Sequence, residues 1–81
     1  MKITVKLFAA AKEAVGSDSL EIELPQPGTI ATLKSVLTAN YPELSETISR
    51  SAFAVDHEYA VDATELNENM EVGLIPPVSG G

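Results

Sequence analysis

The one histidine of the chain, His57, stands between two carboxylates, Asp56 and Glu58. An imidazole flanked this way could hold a metal ion weakly, but the triplet lies in a turn-like stretch, and a solvated turn residue is the expectation. Ser17, Ser19, Ser35, Ser45, Ser49, Ser51 and Ser79 have no base at a recognisable spacing, so nucleophilic catalysis lacks a second partner. The carboxylate pairs Glu21/Glu23 and Asp56/Glu58 fall on alternating, solvent-facing positions, where neither member would be desolvated enough to act as an acid–base dyad. Gly16, Gly28 and Gly73 are isolated, so no phosphate-cradling loop is present. No metal site is expected, and no bound cofactor.

The C-terminal end carries the one distinctive chemical pattern. Leu74-Ile75-Pro76-Pro77-Val78-Ser79-Gly80-Gly81 leaves a strand, stiffens through two prolines and ends in two residues without side chains. Consecutive prolines favour an extended path, and residues 76–81 can span roughly 20 Å at about 3.3 Å per residue. Gly80 and Gly81 offer the smallest cross-section a chain can have, so the Gly81 carboxylate can enter a narrow pocket and turn toward a reactive phosphate. Delivered to a partner that binds ATP, such a carboxylate can be activated as a mixed anhydride. A terminal Gly-Gly by itself can equally be a frayed end; its position after a strand and a Pro-Pro element favours the working-group reading.

These residues must be positioned by a chain of only 81 residues, which is one domain. A domain of this size buries roughly 60% of the surface its unfolded chain exposes, enough for one core and too little for a deep cleft. Cysteine is absent, which removes disulfides and thiolate metal sites. Met1-Lys2-Ile3-Thr4-Val5-Lys6 interrupts any signal-peptide run with charge, and no stretch approaches the ~20 apolar residues of a membrane helix. A soluble cytoplasmic domain with no membrane partner is the expectation. The net charge is −7, from five basic and twelve acidic residues, which argues against nucleic acid. All five bases (Lys2, Lys6, Lys12, Lys34 and Arg50) precede Ser51, whereas Asp56, Glu58, Asp62, Glu65, Glu68 and Glu71 follow it. This asymmetry is either a solubility device or a surface that steers a basic partner.

Ile3, Val5 and Leu7 alternate with Thr4, Lys6 and Phe8, the period of a half-buried strand. Residues 9–15 are strong helix formers closed by Gly16. Leu20, Ile22 and Leu24 give a second strand, broken by Pro25-Gln26-Pro27-Gly28. Thr29 is a suitable N-cap for a main helix with the stripe Ile30, Leu33, Leu37 and Tyr41, Val36 beside it, ended by Asn40 and Pro42. Residues 43–51 show no period and read as a loop or short helical turn. Phe53 and Val55 begin a third strand, Asp56-His57-Glu58 is the turn into a short strand at Tyr59–Val61, and Glu71–Ile75 is the last strand. This order of strands around one long helix predicts an α+β fold, a mixed sheet packed on one main helix. It is the order of the ubiquitin-like β-grasp, with a domain over 1–75 and an extended tail over 76–81.

The segment from Glu71 to Gly81 resembles the C-terminus of the molybdopterin synthase small subunits, the MoaD-type sulfur carriers of the ubiquitin-like family. That family ends in a strand, Pro-Pro-Val, Ser or Thr, and Gly-Gly. Val5-Lys6-Leu7-Phe8-Ala9, with the short helix through Glu13 to Gly16, is similar to its opening, so the resemblance spans essentially the whole chain. Two departures fall in turns: Asp56 stands where the family often has Asn, and Asn67-Glu68-Asn69 replaces an Asp-Gly-Asp-type turn. The resemblance implies that a ubiquitin-activating-like adenylyltransferase activates the Gly81 carboxylate with ATP, and that a sulfur donor converts it to a thiocarboxylate. Pro76, Pro77, Val78, Ser79 and Gly80 then thread into the large synthase subunit, with a heterotetramer implied, and the sulfur builds the dithiolene of molybdopterin. On this account the chain has no active site of its own and is a co-substrate.

The strand pattern adds a docking surface. With Ile3, Val5 and Leu7 facing the helix, Phe8 faces away, and with Val72 and Leu74 inward, Gly73 and Ile75 face outward. If the first and last strands are parallel neighbours, Phe8, Ile75 and Tyr59 form an exposed apolar patch at the root of the tail, fit either for a partner interface or for capping the sheet end. Other functions share parts of this pattern: a sulfur carrier for thiamine or cysteine synthesis, a ubiquitin-like protein modifier joined through Gly81, or an interaction module that never activates its tail.

Overall fold

The computed structural model describes residues 1–77. Strand β1 (Lys2–Lys6) buries Ile3 and Val5 and leaves Thr4 and Lys6 on the other face. It stops before Phe8 because the Phe8 carbonyl turns to accept from the amides of Ala11 and Lys12, opening α1 (Ala9–Val15). Gly16 closes that helix at φ +82°, a left-handed conformation that a Cβ would strain, and donates to the Lys12 carbonyl. Strand β2 (Ser19–Glu23) returns antiparallel to β1 with Ile22 opposite Ile3.

The main helix α2 (Ile30–Asn40) starts at Thr29, whose hydroxyl accepts from the Thr32 amide while the Thr32 hydroxyl accepts from the Thr29 amide. This reciprocal cap satisfies two amides the first helical turn leaves free. Ile30, Leu33 and Leu37 are buried, and Val36 and Tyr41 flank them half-buried. Residues that lack a readable period turn out to be helical: a 3-10 turn at Pro42–Leu44 runs into α3 (Ser45–Arg50). Leu44 and Ile48, four residues apart, share the inward face and are both buried. Two apolar positions in nine are too few to show a period, which is why the sequence leaves this segment open.

Strands β4 (Ala52–Val55) and β5 (Glu58–Ala60) form a hairpin around Asp56 and His57, with φ of +51° and +66°. A two-residue turn with both angles positive matches the twist of the flanking strands. It pairs Val55 with Glu58, so β5 starts one residue earlier than the sequence suggests, and the Val61 amide bonds the Thr64 hydroxyl instead. Two short strands, β3 (Gly28–Thr29) and β6 (Glu65–Leu66), pair with each other; a ladder of two residues leaves no periodic trace in sequence. Strand β7 (Glu71–Ile75) closes the fold between β1, to which it is parallel, and β4, to which it is antiparallel.

The main sheet order is β2-β1-β7-β4-β5. Its inner face contributes Ile3, Val5, Ile22, Phe53, Val72 and Leu74 to one core with α2, and no polar or charged residue is buried among the described residues. Each fully buried aliphatic side chain contributes about 1.5–3 kcal/mol against an exposed reference. No helix of the described residues is long and apolar enough to cross a membrane.

Candidate docking face at the root of the C-terminal segment

The outer face of the sheet follows from strand register. Lys6 lies beside Gly73, Gly73 opposite Ala54, and Ala54 opposite Tyr59, a row running across four strands. One step toward the C-terminal end, Ile75 lies opposite Ala52. Among the described residues no helix covers this face, and Phe8 and Tyr59 are among the exposed large hydrophobics, Tyr59 at 77%.

Gly73 is where the face is shaped. A Cβ built there would lie 3.3 Å from Ile75 Cδ1, 3.9 Å from Phe8 Cε2 and 4.0 Å from the Ala54 carbonyl oxygen. Phe8 and Ile75 therefore lean over the bare backbone of Gly73, which makes the floor of a depression of about 270 Å³ lined also by Lys6, Ala54, Asp56, His57 and Glu71. A second depression of about 310 Å³ is lined by Ala54, His57, Tyr59 and Ile75. Phe8 and Tyr59 thus line separate hollows that share Ala54, His57 and Ile75.

Of the three residues the sequence pattern places on one patch, the structure sets Ile75 beside Phe8 in one hollow and beside Tyr59 in the other. It adds Gly73, which the strand pattern turns outward without a role, and His57, which the sequence reads as a turn residue. A glycine inside a strand is a sequence signal of close approach and could have pointed to Gly73. His57 reads locally as a solvated turn residue; it is exposed, yet it walls both hollows. No local signal reveals that, because the hollows are made by strands distant in sequence.

Pro76 is half-buried and Pro77 exposed where the chain leaves β7. On the helical side they border a groove of about 490 Å³ with Ala9, Ala10, Glu43, Glu46, Thr47 and Arg50, in which Arg50 Nη2 pairs with Glu46 Oε1 at 2.7 Å. Val78, Ser79, Gly80 and Gly81 lie outside the described residues. Among the described residues no three His, Asp or Glu side chains gather as a metal site.

The ThiS family matches this chain over residues 5–81, nearly its whole length. The chain belongs to that family. It is 41% identical over 80 residues to a molybdopterin synthase sulfur carrier subunit of Dictyostelium discoideum, covering 95% of this chain and 93% of the relative. It is 33% identical over 81 residues to the Arabidopsis thaliana protein of the same name, covering 100% and 84%. These identities support the MoaD-type resemblance drawn from the Glu71–Gly81 segment and the opening strand and helix.

Among solved structures, SAMP1 of Haloferax volcanii superposes with a TM-score of 0.87 at 25% identity, covering both chains fully. A Pyrococcus furiosus protein described as molybdopterin converting factor subunit 1 gives 0.86 at 28% identity, covering 96% of this chain and 99% of its own. A complex of subunits 1 and 2 of the molybdopterin-converting factor from Helicobacter pylori contains a chain that superposes at 0.72, with 22% identity and full coverage of both chains. The family's fold is the ubiquitin-like β-grasp, in agreement with the order of elements.

Proposed function

We propose that the chain is a sulfur carrier whose working group is the Gly81 carboxylate, serving molybdopterin synthesis. The observation that carries this reading is the family match running through Gly81, on a chain whose last strand ends with Ile75 beside the exposed Phe8 and Tyr59. The names of the relatives support the carrier role, and the Helicobacter pylori complex supports a large-subunit partner.

In this scheme an adenylyltransferase of the ubiquitin-activating type binds the docking face and joins the Gly81 carboxylate to AMP, releasing pyrophosphate from ATP. Sulfide-level sulfur from a donor attacks the acyl carbon, the acyl–phosphate bond breaks with AMP as the leaving group, and a thiocarboxylate remains. The domain then docks through Phe8, Tyr59 and Ile75 on the large subunit of the synthase, in a heterotetramer. Pro76, Pro77, Val78, Ser79 and Gly80 lead the thiocarboxylate into the pterin site, where its sulfur enters the dithiolene and the carboxylate is regenerated. The stiff Pro-Pro step lowers the entropy of threading, and two glycines pass a narrow entrance. The domain supplies address and reach, and the chemistry belongs to its cytoplasmic partners.

The test is the intact mass of the chain before and after incubation with the adenylyltransferase, ATP and a sulfur donor. A gain equal to one oxygen replaced by sulfur, lost on deleting Gly81, is expected. No gain with a demonstrably active partner would overturn the carrier reading. The similarity to SAMP1, named elsewhere in its structures a small archaeal modifier protein, favours a second reading as a protein modifier. Isopeptide conjugates ending in Gly81 on cellular lysines would establish that role.

A further inference from the structure

His57 is the sole histidine of the chain, and it forms the wall common to both hollows of the docking face. Its backbone is held in the left-handed region at φ +66° by a turn whose register is set by the Val55–Glu58 pair. The imidazole is therefore carried at a defined place on the face, beside Ile75 and Tyr59. The charged groups that line a hollow with it come from three elements: Lys6 from β1, Glu71 from β7 and Asp56 from the turn itself; Glu58, paired with the inward-facing Val55, lines neither hollow. None of these three forms an ion pair among the described residues. Continuing the Val55–Val72 register by one step puts Asp56 opposite Glu71, a juxtaposition of like charges that costs stability in an isolated sheet. With two carboxylates and one ammonium, the rim carries a net negative charge, and an opposing cationic surface complements it.

We propose that His57 is a specificity-determining contact of this face, and that its protonation weakens attachment of a partner whose opposing surface is cationic. The inference rests on the docking reading above and names the chemistry of the surface that docks. The sign follows from linkage. Cations of the partner disfavour a charged imidazole, so the proton is held less tightly in the complex than in the free domain, and docking expels it. Attachment is then stronger with an uncharged imidazole and is weakened as falling pH adds the proton. An exposed charge pair in water changes an equilibrium by roughly twofold to fivefold, which sets the size of the effect.

The experiment is calorimetric titration of the large synthase subunit from the same organism with the full-length chain at about pH 8 and about pH 6, on either side of the ordinary imidazole range. Three chains are compared: wild type, His57→Asn and Ile75→Asp. Asparagine tolerates the left-handed turn and carries no charge, so His57→Asn keeps the hairpin, which its thermal melt verifies. Since every titration uses the same partner, its own titrating groups contribute equally. Between the two pH values wild type is expected to lose roughly twofold to fivefold more affinity than His57→Asn, a difference that shrinks at high salt. Equal losses for the two chains would overturn the role of His57 while leaving the docking face intact. Full affinity in Ile75→Asp would instead overturn the docking face, and with it the place of His57 on it.

Discussion

Replacing Ile75 by aspartate tests the docking face at its centre. Ile75 borders both hollows and touches the space above Gly73. It is half-buried in the free domain, so a partner would remove only the remaining part of its surface from water. If complete burial of an isoleucine contributes about 1.5–3 kcal/mol, the interface share is about 1 kcal/mol. The introduced carboxylate would be desolvated by the docked partner between Ala54, Phe8 and Tyr59, and leaving it unpaired there costs about a further 1–3 kcal/mol. The sum, about 2–4 kcal/mol, weakens binding by about 30-fold to 1000-fold. The isolated domain should lose no more than about 1 kcal/mol, because the site is on the outer face and the penalty is one of strand propensity. Calorimetric titration of the large synthase subunit measures the first quantity, and urea unfolding of the free chain the second. A dissociation constant within about threefold of wild type, on a folded variant, would refute the assignment of this face to docking.

Other substitutions separate the parts of the argument. Gly73→Ala would put a methyl group 3.3 Å from Ile75 Cδ1, which can rotate away; stability should change by less than about 1 kcal/mol while the filled hollow weakens docking by about tenfold. Unaltered affinity would mean that no partner side chain enters that hollow. Leu44→Ala removes a side chain with 0% exposure from the segment that shows no period in sequence, and urea unfolding should show a loss of about 2–5 kcal/mol; a loss under about 1 kcal/mol would show that residues 42–50 are peripheral to the core. Ala9 is exposed and held at φ +50°, so Ala9→Gly should stabilise the fold by about 0.5–1 kcal/mol, and a lowered melting temperature would contradict the strain at that position.

Much of the local structure was legible. The alternation at Ile3, Val5 and Leu7, the cap at Thr29, the stripe Ile30-Leu33-Leu37 and the helix-closing Gly16 each announce an element through short-range rules, and each stands where those rules put it. Elements too short to repeat escaped them. Leu44 and Ile48 are core residues inside a polar segment, and Leu66 anchors a strand of two residues. Their burial depends on what lies across the core from them, which a local pattern does not contain. His57 differs again: its neighbours in sequence, Asp56 and Glu58, describe a wet turn, whereas its neighbours in space include Phe8's hollow, Ile75 and Tyr59.

The sequence by itself determined the inward and outward faces of β1 and β7, because alternation along a strand assigns each side chain to one side. It also determined the acidic balance and the Pro76–Gly81 pattern, which are properties of composition and order. Only the tertiary structure decided which outward residues meet. Inserting β7 between a parallel β1 and an antiparallel β4 brings Phe8, Ala54, His57 and Ile75 to one place from segments up to 67 residues apart, as the step from Phe8 to Ile75 shows. Strand order and register are fixed by long-range backbone hydrogen bonds and by the closure of a shared core, and no window of sequence holds both partners of such a bond.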